Sequence, residues 1–203
     1  QALKIGKEFI GNKNICINLG DHILFGKNLF RDFDRISKNL INNVIFIKHT
    51  AHPKDYGILK YNKKTPFKVY EKPKKFISNN AVCGLYLYKN SVLKYYKDLK
   101  KSKRNEYEVT QLNNILISNE DIEIIKLSKN ISWYDAGNIE RIFQISKHIY
   151  NLSKKNIFVG YLDHIAYKKK LISKNDYLKS IKYYSNSEYS KNLKKLLNTN
   201  ESY

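Results

Sequence analysis

Short runs of consecutive apolar residues alternate with stretches of helical periodicity along the first 150 residues. The apolar runs predict strands, and the periodic stretches predict helices. The predicted strands are 15–19, 44–48, 81–88 and 122–127, and the predicted helices are 28–40, 91–99 and 109–117. Asn28 is the expected N-cap of the first helix. The order strand, helix, strand over 15–48 is typical of a crossover unit in a mainly parallel sheet.

The middle and the end of the chain follow different patterns. Two apolar stretches, 56–61 and 67–71, flank the turn-forming sequence 62–66 and predict a β-hairpin. Trp133–Gly137 is predicted as a turn, and Asn138 as the cap of the helix that follows. From Lys168 onward Lys, Tyr, Leu and Asn predominate with helical spacing. We therefore predict an α/β domain over 1–150 and a helical extension over 151–203.

Composition narrows the functional classes. Lys and Arg number 38 against 18 acidic residues, a net charge of +20 that would attract nucleic acid or another polyanion. Only four of the basic residues are arginine, the main base-reading residue, and the lysines are spread along the chain. We therefore favour a generally basic surface over a nucleic-acid site. Sequence patterns of P-loop, dinucleotide-binding and serine-hydrolase sites are absent, as are CxxC pairs and long apolar runs, so we expect a cytoplasmic protein.

Two aspartates are candidates for metal binding. Asp21 follows the first strand and Gly20, at the end of a sheet where open α/β folds bind ligands. It could be a Mg²⁺ ligand, or a turn residue that accepts hydrogen bonds from its own backbone. Asp135 precedes a helix and could be a second ligand or an acid that interacts with the helix dipole. The sequence alone leaves open whether the two carboxylates meet.

The hairpin and the strand after it contain candidate substrate contacts. Glu71 could accept hydrogen bonds from sugar hydroxyls, and Lys72 could bind a phosphate, or the two could form an exposed ion pair. Gly57 would allow a ligand to approach the backbone, or could simply begin a strand. Val82, by its pattern, is more typical of a core position.

These motifs together resemble one family, the glucose-1-phosphate thymidylyltransferases, within the sugar-nucleotide pyrophosphorylases. The stretches that carry the resemblance are QALKIGKEFIG, LGDHILFG, KDYGILKY, VYEKPKKFISNNAVCGLYLY, NEYEVTQLN and WYDAG. Each is weak alone, and their order along the chain is specific. The block EKP…SN.AV.GLY resembles the thymidylyl branch more than the uridylyl or adenylyl branches.

The resemblance implies a Rossmann-like nucleotidyltransferase fold and a defined reaction. Glucose 1-phosphate would attack the α-phosphorus of dTTP with Mg²⁺ present, giving dTDP-glucose and pyrophosphate in dTDP-rhamnose synthesis. By matching position, Asp21 and Asp135 would hold Mg²⁺. The residues matching sugar or sugar-phosphate contacts are His22, Gly57, Glu71, Lys72 and Val82. The family also implies a homotetramer for the full-length protein, with no membrane partner.

Three departures from the family pattern qualify these expectations. The family's glycine-rich loop, whose Arg and Lys grip the triphosphate, has no match here, so the sequence assigns no catalytic residue. His22 replaces the family's Asn, and Gln111 replaces an acid, for which we expect only altered helix contacts. Because the chain also has no Met, we expect an N-terminally truncated fragment with an incomplete sheet that folds poorly or is inactive. The alternatives are a nucleotidyltransferase of other base or sugar specificity, a nucleic-acid-binding protein, or a non-catalytic assembly remnant.

Overall fold

The computed structural model describes residues 2–26, 29–119 and 121–198, which form two compact units. Unit 1 extends to Asp135, and unit 2 begins at Ala136. Unit 1 contains all the strands that the structure describes, together with four α-helices. Unit 2 consists of helices and their connections. The predicted division of the chain at residue 150 stays a prediction.

The main sheet of unit 1 has six strands, and its long central member is β6, Asn80–Tyr88. The strand order is β5-β4-β6-β3-β7. β1 pairs with the last four residues of β6, on the same edge of β6 that pairs with β4. The other strands are β1 (Ile15–Asn18), β3 (Asn43–His49), β4 (Gly57–Asn62), β5 (Thr65–Glu71) and β7 (Ile122–Lys126). The predicted hairpin is confirmed as β4 and β5, whose turn is shorter than expected because Thr65 and Pro66 already belong to β5.

The α/β class is confirmed, and the expectation of a mainly parallel sheet is wrong for the described strands. Among them only β3 and β7 pair in parallel. β6 lies between β1 and β3 and runs antiparallel to both. The chain changes direction in the β4–β5 hairpin before it reaches β6, and β6 therefore runs antiparallel to its neighbours in the sheet. β1 and β3 are therefore not neighbours in a simple crossover unit.

The sheet of unit 1 is buried on both faces, which explains why its central strands are nearly all apolar. Successive residues of β3 point to opposite sides: Ile45 and Ile47 belong to one hydrophobic cluster, and Val44 and Phe46 to another. Helix α4, Val109–Ser118, adds Leu112 and Leu116 to the first cluster. Helix α3, Leu29–Lys38, adds Leu29 to the second.

The remaining helices of unit 1 are short. α1 (Ala2–Ile5) and α2 (Lys7–Ile10) precede the first strand. Asn90–Lys97, predicted as part of an α-helix, forms a 3₁₀ helix, and another covers Pro53–Asp55. The predicted cap Asn28 lies outside the described residues.

A second, two-stranded sheet in unit 1 was not expected from the sequence. β2 (His22–Gly26) pairs antiparallel with β8 (Ile131–Asp135), so the prediction of a turn beginning at Trp133 is wrong. The polar residues of WYDAG suggested a turn. Trp133 to Asp135 continue the strand because β2 supplies backbone hydrogen-bonding partners from a segment far away in sequence.

Unit 2 contains four helices over its described residues, 136–198. They are α5 (Ile139–Ser153), α6 (Leu162–Lys168), α7 (Lys174–Tyr183) and α8 (Glu188–Leu197), so the predicted helical character begins earlier than Lys168. The predicted cap of α5 is confirmed, because the Asn138 side chain accepts a hydrogen bond from the Arg141 backbone N–H at 2.9 Å. Tyr177 and Leu193 are buried where α7 packs against α8.

Within the described part of the chain, none of the helices combines the length and apolar character that crossing a bilayer requires.

Candidate active site

The pairing of β2 with β8 brings together three side chains that could hold a metal ion. His22 and Asp135 are direct partners in the register of the two strands, and Asp21 immediately precedes β2. One ligand atom from each of the three residues lies within 4.8 Å of the other two. The two aspartates that the sequence analysis singled out therefore do meet, and His22 lies with them.

The His22 ring is held from several sides. Its Nδ1 is 2.7 Å from the carbonyl oxygen of Cys83, and the Trp133 indole Nε1 is 3.1 Å from the same nitrogen. Its Nε2 faces Asp21, with the carboxylate Oδ1 at 3.9 Å. The His22 side chain is only 8% exposed, whereas that of Asp21 is 50% exposed. The imidazole is therefore held in one orientation at the site, whereas the Asp21 side chain can rotate.

Gly84 makes room for this imidazole. Its φ is +67°, and a Cβ at this position would lie 2.4 Å from His22 Nδ1 and 2.9 Å from Leu19 Cδ1. The register of β6 against β3 also shifts here, because Ile47 pairs with Val82 whereas Ile45 pairs with Tyr86. Such irregularities redirect backbone groups beside active sites. Here the irregular segment directs the Cys83 carbonyl to the ring.

Glu71 lies in the same cleft as the three candidate metal ligands, and a hydrogen bond orients its carboxylate. It is the last residue of β5 and pairs with Gly57 across the hairpin. Its Oε2 accepts a short hydrogen bond from the Thr110 hydroxyl at the start of α4. A Cβ on Gly57 would lie 3.3 Å from the Thr110 oxygen and 3.4 Å from Glu71 Oε2. The absence of a side chain at Gly57 therefore leaves space for the hydrogen bond between Thr110 and Glu71.

Arg104 approaches Glu71 from the loop before α4. Its guanidinium lies 3.9 Å from Glu71 Oε1 and closer to Glu106 and Glu108, at 3.3 and 3.6 Å. The arginine is half-exposed, so each of these pairs contributes little to stability. Their effect is to place a positive charge beside the Glu71 carboxylate.

The other predicted contacts lie in the same region. Lys72 is exposed, has a φ of +39°, and its backbone N–H donates to Tyr56 at 3.1 Å. Val82 is 6% exposed and belongs to the core, as its pattern indicated, while it also lines the cleft. Gln111 accepts a hydrogen bond from the Lys100 backbone at 2.9 Å, which is a local contact of the helix.

All seven site residues predicted from the sequence line one cleft of about 180 Å³. The cleft contains four carboxylates in a chain whose net charge is +20. The residues that line it are Leu19, Asp21, His22, Asp55, Tyr56, Gly57, Glu71, Lys72, Val82, Gly84, Tyr86, Thr110 and Asp135. A local concentration of carboxylates against the overall charge favours a cation and hydroxyl donors as ligands.

Tyr86 adds a neutral donor to this cleft. Burial raises the pKa of its phenol well above the usual value, and the negative charge of Glu71 raises it further. The hydroxyl therefore keeps its proton at neutral pH and can donate a hydrogen bond to a ligand oxygen.

A larger hollow, of about 600 Å³, lies elsewhere in unit 1, between residues 7–12 and 90–97. Its charged lining consists of lysines and Glu8. The carboxylates and the imidazole lie in the smaller cleft. We place the candidate site there because these groups can bind a cation and hydroxyl groups.

Sequence reasoning missed four residues that shape the site: Gly84, Arg104, Thr110 and Trp133. Gly84, Thr110 and Trp133 lie inside motifs that carried the family resemblance, but the sequence did not show which residues they contact. The indole N–H of Trp133 reaches a histidine 111 residues away in the chain, a contact that no local pattern encodes.

The fold and the cleft define a class of protein. The α/β unit has a carboxylate-rich cleft that includes a fixed imidazole and an exposed lysine, which are groups that can bind a cation, hydroxyl groups and a phosphate. The family model described as "Nucleotidyl transferase" matches residues 1–151. The chain belongs to the nucleotidyl transferase family.

Curated relatives agree on one activity. The chain is 27% identical to a glucose-1-phosphate thymidylyltransferase of Neisseria meningitidis, over 97% of this chain and 69% of that protein. It is 32% identical to another of Mycolicibacterium smegmatis, over 83% of this chain and 59% of that protein. The chain thus spans roughly three-fifths to two-thirds of the length of these relatives.

Solved structures support the Rossmann-like nucleotidyltransferase fold. A Bacillus anthracis protein assigned as a glucose-1-phosphate thymidylyltransferase, in complex with sucrose, matches with a TM-score of 0.63 and 28% identity. The match covers 72% of this chain and 58% of that one. A UDP-glucose pyrophosphorylase complexed with UDP-glucose matches with a TM-score of 0.65, 20% identity and coverage of 74% and 61%, which supports the fold alone.

Proposed function

We propose that the chain forms the sugar and metal part of a glucose-1-phosphate thymidylyltransferase. The full reaction transfers a thymidylyl group from dTTP to glucose 1-phosphate and gives dTDP-glucose and pyrophosphate. The observation that carries the proposal is the convergence of Asp21, Asp135, Glu71 and Lys72 on one cleft. Family membership and the activity of the curated relatives supply the reaction class.

The cation of this reaction would be Mg²⁺ held by Asp21 and Asp135. Enzymes of this family usually need a divalent metal. The two carboxylates fit that need, because Mg²⁺ prefers oxygen ligands and is typically bound by one or two carboxylates together with substrate phosphates and water. When bound, such a cation neutralises charge on the phosphates during phosphoryl transfer.

Glu71 would bind the sugar. Thr110 donates to one of its oxygens, which fixes the orientation of the carboxylate and leaves acceptor capacity for hydroxyl groups in the cleft. The phenol of Tyr86, which stays protonated, is a matching donor. The backbone near Gly57 and Val82 would complete the sugar pocket, as the family resemblance implies.

Lys72 would bind the sugar phosphate as a point charge. Its backbone N–H donates to the Tyr56 carbonyl, and the exposed residue lines the cleft. The phosphate oxygen would attack the α-phosphorus of dTTP in line, as the family resemblance implies, and the protein would supply position and charge neutralisation with no covalent role. We further propose that the full-length protein is a cytoplasmic homotetramer.

The test is binding of glucose 1-phosphate with Mg²⁺, read from the fluorescence of Trp133, the single tryptophan. Trp133 contacts both Tyr56 and His22 in the cleft, with ring centroids 4.7 and 5.7 Å apart. We expect Glu71→Gln to weaken binding about tenfold, because hydrogen bonds to a charged group contribute about 1.5–3 kcal/mol.

The matched control is Glu106→Gln, which removes another acid that contacts Arg104 and does not line the cleft. This control should bind as the unmodified chain does, and free glucose should bind more weakly than its phosphate. Equal affinities of the Glu71 and Glu106 variants, or no saturable signal with glucose 1-phosphate, would overturn the proposal. A panel of nucleoside triphosphates, tested on the full-length protein, would decide between thymidine and another base.

A further inference from the structure

We propose that His22 is a third protein ligand of the divalent cation, through Nε2, and that it shifts the metal preference of the site from Mg²⁺ towards Mn²⁺ and Co²⁺. This inference rests on the cation site of the proposed function. It gives His22 a different task from the sugar contact that the family resemblance implied.

The distances suit one shared ion. Nε2 of His22 is 3.9 Å from Asp21 Oδ1, and all three ligand atoms lie within 4.8 Å of one another. Two ligands on opposite sides of a small divalent ion are about 4.2 Å apart, and two adjacent ligands about 3 Å apart. The 4.8 Å limit exceeds the larger of these distances by about 0.6 Å, so small rotations of the Asp21 and Asp135 side chains bring the three groups to coordination distance.

The hydrogen bond on the far side of the ring leaves Nε2 available to a metal. Nδ1 lies 2.7 Å from the Cys83 carbonyl, and a carbonyl oxygen can only accept a hydrogen bond. Nδ1 cannot donate to Cys83 and also accept from the Trp133 indole at 3.1 Å. We assign the N–H to Nδ1 on the shorter contact, which leaves the Nε2 lone pair facing Asp21.

This arrangement is the usual outer shell of a metal-binding histidine. Such a histidine generally donates its other N–H to a backbone carbonyl or a carboxylate, which fixes the tautomer and the ring orientation. Gly84 leaves space for the ring, and the pairing of His22 with Asp135 in adjacent strands sets its position. The imidazole is therefore preorganised towards the carboxylates.

An imidazole changes which metals the site prefers. Mg²⁺ favours oxygen ligands, whereas imidazole nitrogen binds later divalent metals well, and affinity generally rises from Mn²⁺ to Co²⁺. A site with two carboxylates and one imidazole should hold Mn²⁺ and Co²⁺ more tightly, relative to Mg²⁺, than a site with two carboxylates alone.

The first experiment measures metals alone on the full 203-residue chain. Mn²⁺ binding is followed by loss of the free-ion electron paramagnetic resonance signal and by quenching of Trp133, and Mg²⁺ affinity by competition. We expect His22→Asn to lower Mn²⁺ affinity at least tenfold and to change Mg²⁺ affinity less than threefold. His49→Asn, which alters an exposed histidine at the end of β3, should leave both affinities unchanged.

The second experiment needs no variant and detects the coordination directly. Electron spin-echo spectra of bound Mn²⁺ should show nitrogen modulation from a coordinated imidazole, and labelling histidine with ¹⁵N should change it. If Mn²⁺ binds and Asp135→Asn abolishes that binding, but no nitrogen modulation is seen, the inference is wrong and the proposed cation site stands. If Mn²⁺ does not quench Trp133, or if Asp135→Asn leaves binding unchanged, the cation site of the proposed function fails as well.

Discussion

Gly84→Ala tests the way in which the site is built. This substitution adds one methyl group at a residue whose φ is +67°, on a line towards the His22 ring. The new Cβ would lie 2.4 Å from Nδ1 and 2.7 Å from Cε1 of that ring. Neither distance is tolerable, so the imidazole must move away from the Cys83 carbonyl.

The expected cost has three sources. A positive φ costs an L-residue about 1–2 kcal/mol. Crowding in a packed interior typically costs about 1–3 kcal/mol, and the lost hydrogen bond about 1 kcal/mol. We expect unit 1 to lose about 3–6 kcal/mol of unfolding free energy, together with most of its divalent-metal affinity.

Urea unfolding followed by the fluorescence of Trp133 reports on unit 1, since this single tryptophan lies in β8. Gly11→Ala is the control for the backbone cost, because Gly11 also has a positive φ, of +54°, with no atom near its missing Cβ. The decisive measurement is a double-mutant cycle with His22→Ala, which removes the ring that the new methyl group meets. We expect a coupling free energy of about 2 kcal/mol, and effects additive within about 0.5 kcal/mol would refute the reasoning.

Two further predictions concern other contacts. Thr110→Val removes the donor to Glu71 and should weaken glucose 1-phosphate binding about tenfold, whereas Thr110→Ser should retain it; equal losses in both would contradict the orienting role. In unit 2, hydrogen bonds from Ser173 and the charge of Lys179 lower the pKa of Asp176 to about 2. Because this pKa is lower in the folded state, the carboxylate stabilises α7 above about pH 4, the unfolded pKa, and this stabilisation is lost as the pH falls towards about 2. Helix content measured by circular dichroism over this range should fall less steeply in Asp176→Asn, and identical profiles would contradict the assignment.

Several elements of the fold could be predicted because their signals are local. The apolar run at 44–48 predicted a strand, and β3 covers it, with alternate residues entering two hydrophobic clusters. The cap at Asn138 and the β4–β5 hairpin followed from turn and capping residues whose partners lie within a few positions. For such features the neighbours along the chain supply most of the interacting groups.

The site residues were identified by a different route. Asp21, Asp135, Glu71 and Lys72 were candidates from their positions in the chain, and only the family resemblance favoured their binding roles, because a carboxylate beside a turn has the same local pattern whether or not it binds a metal. Whether the aspartates meet depends on a backbone pairing between β2 and β8, and the sequence analysis assigned Trp133, in that second strand, to a turn.

The sequence by itself determined the α/β class, the helical end of the chain and the residues with suitable chemistry, since these depend on composition and short-range periodicity. Only the tertiary structure decided the antiparallel placement of β6 and the contacts of His22 with Cys83 and Trp133. Those features depend on strand pairing between distant segments and on the space left by Gly84. Long-range register and packing decide where a side chain's hydrogen bonds go, and that is what distinguishes a sugar contact from a metal ligand at His22.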